Sequence, residues 1–265
     1  MATVKDIYDA LDRWAPFATQ MDFDNAGFLV GYGEQNVTQI VVALDITEDV
    51  IHEAVEKKAE LIVAHHPVIF HPVRALTDET TTGKKLLKMV KYNISAICAH
   101  TNLDAAQGGV NSALAKALQL REVQHLHPDG EDEQGRVYGI GRVGFVHREG
   151  MTAEEYARFV KEKLGTSSVR FADADKPVHK VAVGGGSCGS MLSDAIRMGC
   201  DTFVTADVKH DQFLEAQMLG INLMDAGHFA TEDVICPEIV AYMEKNFPDV
   251  KVWQAAHDKE SYRSV

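Results

Sequence analysis

Apolar positions along this chain fall into short unbroken runs that alternate with stretches of helical spacing, the pattern of strands buried on both faces and joined by amphipathic helices. In "QIVVALDITEDVIHEAVEKKAELIVAHH" a buried strand leads into a helix and then into a second buried strand that runs out into polar residues. Val50, Ile51, Ala54, Val55 and Ala59 take helical spacing, and Asp45, Thr47 and Glu48 offer a cap and favourable charge at the helix start. Two strands joined through a helix imply a parallel pair.

A matching unit begins at Lys180, where "KVAVGGGSCGSMLSDAIRMGCDTFVTADVKH" again gives strand, helix of similar length and strand. The correspondence extends further. "NISAICAHTNLD" ends a strand with His100 and, four residues on, Asp104; "GINLMDAGHFATE" ends one with His228 and, four on, Glu232. Strand-helix-strand units resemble one another by physics alone, so the shared His-x-x-x-acid is the weightier sign of duplication. Between the units, "HLHPDGEDEQGRVYGIGRVGFVHREGMTAEEYARFVKEKLG" reads as an acidic turn-rich start, a glycine-punctuated strand and a helix capped by Thr152. The expected division lies near Pro128 to Gly135. It gives a first half, 1–127, carrying His65, His66 and Asp104, and a second, 128–265, carrying His228 and Glu232, with the C-terminal segment packing back on the first half. The fold class expected is α/β: two similar, intertwined halves with mixed, largely parallel sheets and a metal site between them.

A length of 265 residues lies between the usual sizes of one domain and two, and 46% hydrophobic with 25% charged residues is ordinary for a chain with a sizeable core. The opening "MATVKDIYDALDRW" has neither a basic flank nor an apolar run, and no stretch reaches the roughly 20 apolar residues of a membrane span, so a soluble, cytoplasmic protein with no membrane partner is expected. Cys98, Cys188, Cys200 and Cys236 show no CxxC spacing and are expected to be free thiols in a reducing compartment. A net charge of -13 argues against nucleic acid as partner.

Chemistry gathers where the strands end. In "LIVAHHPVIF" His65 and His66 follow four apolar residues at the carboxyl end of a strand, where open α/β sheets hold ligands, and Pro67 fixes the turn that follows. Alone, such a pair reads equally as loop residues capping backbone carbonyls. "AHTNLDAAQGGVN" adds Asp104, with His100 and Asn102 beside it, and "GHFATED" adds His228 and Glu232; were "TED" to open a helix, its acids would serve as capping charges instead. Three imidazoles and two carboxylates suit Zn, Fe, Mn or Co rather than Ca. Five such ligands exceed one tetrahedral ion, so two divalent metal ions are expected, with Glu232 as the candidate shared carboxylate.

"GGGSCG" satisfies G-x-G-x-x-G at Gly184, Gly186 and Gly189, with Asp207 where a ribose-binding acid would stand. A dinucleotide site leaves the metal-type residues unexplained, and a backbone cradle for an anion at the helix start is the preferred reading. Cys188 shares that helix start, where a thiolate is stabilised, but has no evident base. His125 and His127 fall in a polar turn and are expected to be solvated, outside the site.

The successive motifs "DNAGFLVG", "VVALDIT", "AHHPVIF", "AHTNLDAAQGGVN", "GGGSCG", "TADVKH" and "DAGHFATE", in order across nearly the whole chain, resemble those of the GTP cyclohydrolase 1 type 2 homologues, also called Nif-three-like dinuclear metal-centre proteins. The resemblance implies a two-metal centre with His65, His66, Asp104, His228 and a bridging Glu232 as ligands, His100 beside it, and a ring-shaped homohexamer. It further implies a hydrolase acting on a small molecule, with a nucleotide as the candidate. For GTP the reaction would be opening of the guanine imidazole portion at C8, the phosphate tail being held by Gly184 to Gly189 and Lys209, with His210 or His100 as proton shuttle. The chain departs from the family pattern at Asp211, where a second histidine is frequent, and its roughly 50 residues between the halves are too few for the large inserted domain of some members. The rival readings are a metal-dependent phosphoesterase and a metal-binding, metal-delivery or interaction protein without turnover.

Overall fold

The structure, a computed structural model, describes residues 1–263. The chain divides into two units, one made of Met1–Leu103 with Cys236–Lys259 and the other of Asp104–Ile235 with the chain from Glu260 onward.

In the first unit the apolar runs become a five-stranded sheet ordered Lys251–Gln254, Gln39–Ala43, Leu61–Ala64, Ser95–Cys98, Gly27–Val30. The first four strands are parallel and Gly27–Val30 is antiparallel to its neighbour. Leu61–Ala64 and Ser95–Cys98 are buried at every position, as a parallel sheet covered on both faces requires. The crossover helix Glu48–Lys57 starts where Thr47 accepts a hydrogen bond from the Val50 N–H and stops where Lys58 turns left-handed. Its buried face, Val50, Ile51 and Ala54, packs with Val41, Ile62 and Ala64 of the sheet and Met89 of the second crossover helix, Thr81–Lys91.

The second unit holds a six-stranded sheet ordered Arg170–Ala172, Asn222–Asp225, Thr202–Thr205, Lys180–Val183, Arg142–Phe145, Arg121–His125. Its three repeat strands are parallel, and the flanking strands run antiparallel. Side chains alternate between two cores: Val181, Val183, Val204 and Met224 lie with Tyr156 of the helix Ala153–Leu164, whereas Ala182, Phe203 and Leu223 lie with Leu192. The expected Thr152 cap is present and is completed by Glu155 as a capping box.

Two details differ from the sequence reading. The helix after the glycine loop is short, Leu192–Arg197 preceded by a 3-10 turn, because Gly199 with its positive φ ends it early. Residues 104–127, counted with the first half, go with the second unit because Arg121–His125 pairs with Arg142–Phe145. Cys236–Lys259, the C-terminal segment expected to return to the first half, go with the first unit, where Lys251–Gln254 pairs with Gln39–Ala43. Among the described residues no helix is long and apolar enough to cross a membrane.

Candidate metal centre

In the first unit the parallel ladder continues past Ala64, since the His65 N–H donates to Ala43 O at 3.2 Å and the His66 N–H to Leu44 O at 2.9 Å. Both histidines are therefore held at the carboxyl end of the sheet. His100 follows the neighbouring strand, Ser95–Cys98. The three imidazoles form one cluster, with ring centroids 5.0, 5.1 and 5.6 Å apart, and one potential ligand atom from each lies within 4.8 Å of the others.

Each ring in this cluster is fixed through Nδ1. That atom meets Ala99 O at 2.8 Å in His65, Asp45 Oδ1 at 3.0 Å in His66 and Asp24 Oδ1 at 2.8 Å in His100. An oxygen acceptor on Nδ1 holds the proton there and sets Nε2 as the basic atom, the arrangement that orients metal-binding histidines. Asp24 is itself prepared for the task. Burial alone would raise its pKa, but hydrogen bonds from His100 and from the Thr101 hydroxyl and N–H outweigh that and hold the carboxyl well below the usual range.

In the second unit Asn222–Asp225 ends in Gly227, at φ +89°, and the helix His228–Glu232 follows. His228 repeats the pattern: Nδ1 meets Asp207 Oδ2 at 2.7 Å, and Nε2 lies 2.9 Å from Glu232 Oε2. Glu232 is 3% exposed and closes its short helix rather than opening one, which removes the helix-capping alternative. Asp104 is also buried, and its carbonyl accepts from Asn111 Nδ2 at 3.0 Å while Asn111 Oδ1 accepts from the Gly185 N–H at 2.9 Å. One asparagine thus ties the backbone of Asp104 to the glycine loop.

The loop has a different purpose from the anion cradle expected of it. The Gly185 N–H is taken by Asn111, that of Gly186 by Thr231 Oγ1 and that of Cys188 by Thr205 Oγ1, so these donors are committed to the protein. A Cβ on Gly186 would stand 2.0 Å from Glu232 Oε1 and 3.3 Å from His228 Cε1. Glycine is required there for the close approach of a carboxylate, and the left-handed φ of +63° makes the same demand. The Cys188 thiol is not the stabilised thiolate that a helix start suggested. Burial first, then the carboxylates of Asp104 and Glu232, push its pKa far up, and Sγ donates to Gly185 O.

Of the other candidates, His100 joins His65 and His66, whereas Lys209, His210 and Asp211 are exposed at the start of the helix His210–Leu219 and belong to no metal-type cluster among the described residues. Sequence reading missed Asp24, Asp45 and Asp207 as tethers and Asn111 as a tie. All four lie inside or beside the motifs "DNAGFLVG", "VVALDIT", "TADVKH" and "AHTNLDAAQGGVN", and the signal available was a carboxylate at a strand end or turn near a histidine-bearing strand. Three buried or half-buried imidazoles fixed through Nδ1 in one unit, and a fourth beside a buried carboxylate in the other, are a donor chemistry that fits divalent metal.

The chain is 35% identical over 243 residues to a Clostridium perfringens protein named GTP cyclohydrolase 1 type 2 homolog, covering 91% of this chain and 90% of that one. A Clostridium acetobutylicum protein of the same name is 36% identical, with 91% and 88% covered. Among solved structures, a Bacillus cereus protein related to NIF3 superposes with a TM-score of 0.93 over 100% of this chain and 99% of that one, at 24% identity, which establishes the shared fold. With the family description Duf34/NIF3 (NGG1p interacting factor 3) matching residues 2–260, the chain belongs to the Duf34/NIF3 family.

Proposed function

We propose that this protein is a metal-dependent hydrolase holding two divalent ions, Zn, Fe, Mn or Co, through His65, His66, Asp104, His228 and Glu232, and acting on a nucleotide. The observation that carries the reading is that His65, His66 and His100 gather potential ligand atoms within 4.8 Å of one another and His228 sits beside buried Glu232, each ring being held through Nδ1 in the orientation that suits a metal ligand. Bound ions of this kind make water a nucleophile at neutral pH and polarise the group under attack. In this reading Glu232 is the shared carboxylate, which is why Gly186 must yield it space. His100, its Nδ1–H held by Asp24, would take up and return the transferred proton at Nε2. Lys209 and His210, exposed at a helix start, are assigned no proton transfer and remain candidates for contact with the charged tail of a substrate.

The name carried by the relatives makes GTP the first substrate to test, with opening of the guanine imidazole ring as the reaction. A homohexamer in the cytoplasm is part of the same proposal, and four cysteines without a disulfide accord with a reducing compartment. Metal analysis of anaerobically purified protein, coupled to turnover on a panel of nucleotides and phosphoesters, tests it. About two ions per chain are expected. One or fewer after reconstitution would sink the dinuclear reading, and full loading without turnover, together with ready transfer to an acceptor, would make the protein a metal carrier.

A further inference from the structure

The second unit contains a cleft of ≈ 630 Å³ whose wall includes Ser112, Lys116, Gln119, Gln124, His125 and Arg142. No carboxylate is among its lining residues, in a chain with 39 Asp and Glu against 26 Lys and Arg. The Arg142 side chain is 3% exposed. Its five N–H groups go to Gly139 O, Gly141 O, Ala105 O, Ala106 O and Ser112 Oγ, all neutral acceptors. The guanidinium is therefore satisfied in hydrogen bonds and uncompensated in charge, and burial pulls its pKa down to about 10. A buried charge without a counter-charge is costly, and an anion arriving beside it is correspondingly favoured.

Ser112 and His125, which line the same cleft, have donor capacity that the described residues do not use. Ser112 Oγ accepts from Arg142 Nε and from the Gly108 N–H, both at 3.2 Å, so its own proton must point elsewhere. Nε2 of His125 is buried with no hydrogen-bond partner among the described residues, a position that a ligand acceptor would satisfy. Burial and then the Arg142 charge lower the pKa of His125 against an opposing effect of Asp129, so the guanidinium field reaches the imidazole that lines the cleft. Gln119 and Gln124, exposed on the rim, add amides able to read polar groups on the rest of a ligand.

We propose that this cleft is a binding site, independent of the metal-type residues, for a small anionic metabolite whose phosphate or carboxylate head sits at Ser112 and His125 in the field of Arg142. The volume falls in the range of small-molecule sites, roughly 300 to 1,000 Å³.

The test is titration of full-length, metal-loaded protein with inorganic phosphate and, separately, with succinate, following the His125 imidazole by NMR. A saturable shift of that resonance is expected with at least one anion below about 10 mM. Stronger response to phosphate assigns a phosphorylated ligand, stronger response to succinate a carboxylated one, and equal response a site for the anionic head alone. Gln124→Glu puts a carboxylate on the exposed rim with little change of shape, and should weaken binding roughly tenfold while metal content stays the same. The proposal is overturned by a His125 signal that neither anion shifts saturably, or by unchanged affinity in Gln124→Glu. Because Arg142 bonds the carbonyls of Ala105 and Ala106 next to Asp104, the titration is repeated on metal-free protein: a His125 shift that persists there belongs to the cleft, and one that vanishes overturns the independent site, so a failed metal assay leaves this one readable.

Discussion

The two units carry the same three parallel strands and differ in what stands at their carboxyl ends. The first offers mainly nitrogen: His65, His66 and His100, each held through Nδ1 by an oxygen acceptor. The second offers His228 with the buried carboxylate of Glu232 after its strand Asn222–Asp225, while the other buried carboxylate, Asp104, follows the first sheet's strand Ser95–Cys98, four residues beyond His100. Imidazole supplies affinity for borderline metals without charge, and carboxylates supply the negative charge that divalent ions require. The strands need only apolar runs to form, so their ends are free to diverge, and duplication of a frame does not entail duplication of its chemistry.

The sharpest way to break this contrast is to remove the charge from one side. Glu232→Gln keeps shape and loses the anion, and should lower metal affinity by more than 100-fold in chelator competition, beyond the roughly 10- to 100-fold typical of a residue that only orients a ligand. His100→Asn should fall within that lower range. Equal losses for the two would move His100 into the ligand set and make the first unit a complete three-nitrogen site.

A smaller effect separates the glycine loop from an ordinary turn. Gly186 and Gly150 both have positive φ, +63° and +78°, but a Cβ at Gly150 meets nothing within 4 Å whereas one at Gly186 strikes Glu232. Alanine at either should cost about 1 kcal/mol of backbone strain. Gly186→Ala should cost about 2 to 3 kcal/mol in urea unfolding and shed metal as well, because Glu232 must move. If the two variants lose the same stability and keep the same metal content, the close approach at Gly186 has no role in the site.

The legibility of the chain follows the range of the interactions. Runs such as "LIVA" and "FVT" declare buried parallel strands locally, and histidines and acids just beyond them stand at the carboxyl edge by topology alone, which is why His65, His66, Asp104, His228 and Glu232 could be singled out. The return of the C-terminal segment to the first half was expected, but its register was not legible: Lys251–Gln254 pairs with Gln39–Ala43, more than 200 residues away, which no local pattern records. Nor did any local pattern show that residues 104–127 go with the second unit, since that depends on Arg121–His125 pairing with Arg142–Phe145. "GGGSCG" misled because a glycine loop looks the same whether phosphate or a glutamate approaches it. His125 looked solvated because the sequence does not show that the strand Arg121–His125 lies beside Arg142–Phe145 and its buried arginine.

The sheets also differ at the edge beside their first repeat strand, and this yields the smallest and most local prediction. In the second unit that place is taken by Arg142–Phe145, antiparallel; in the first it is taken by the late strand Lys251–Gln254, parallel. A strand arriving so late needs fastening, and buried Glu53 of the helix Glu48–Lys57 provides it. Its carboxylate accepts from the Ala256 and His257 N–H groups at 2.9 and 3.1 Å, meets His257 Nδ1 at 3.0 Å and lies 3.5 Å from Lys57 Nζ. Burial alone would raise the Glu53 pKa, but these donors outweigh it and leave the group below its ordinary value of 4.5. A folded pKa below the unfolded one means that the unfolded chain takes up the proton first, so the stabilisation is present above the ordinary carboxylate range and drains away as pH falls through it. Glu53→Gln should therefore cost about 1 kcal/mol at neutral pH, where a charged acceptor is exchanged for a neutral one, and less near about pH 3, where the wild-type carboxylate is losing its advantage. Urea unfolding of both proteins at the two pH values measures the gap; a gap that does not narrow in acid would mean that shape rather than charge at Glu53 holds the returning strand.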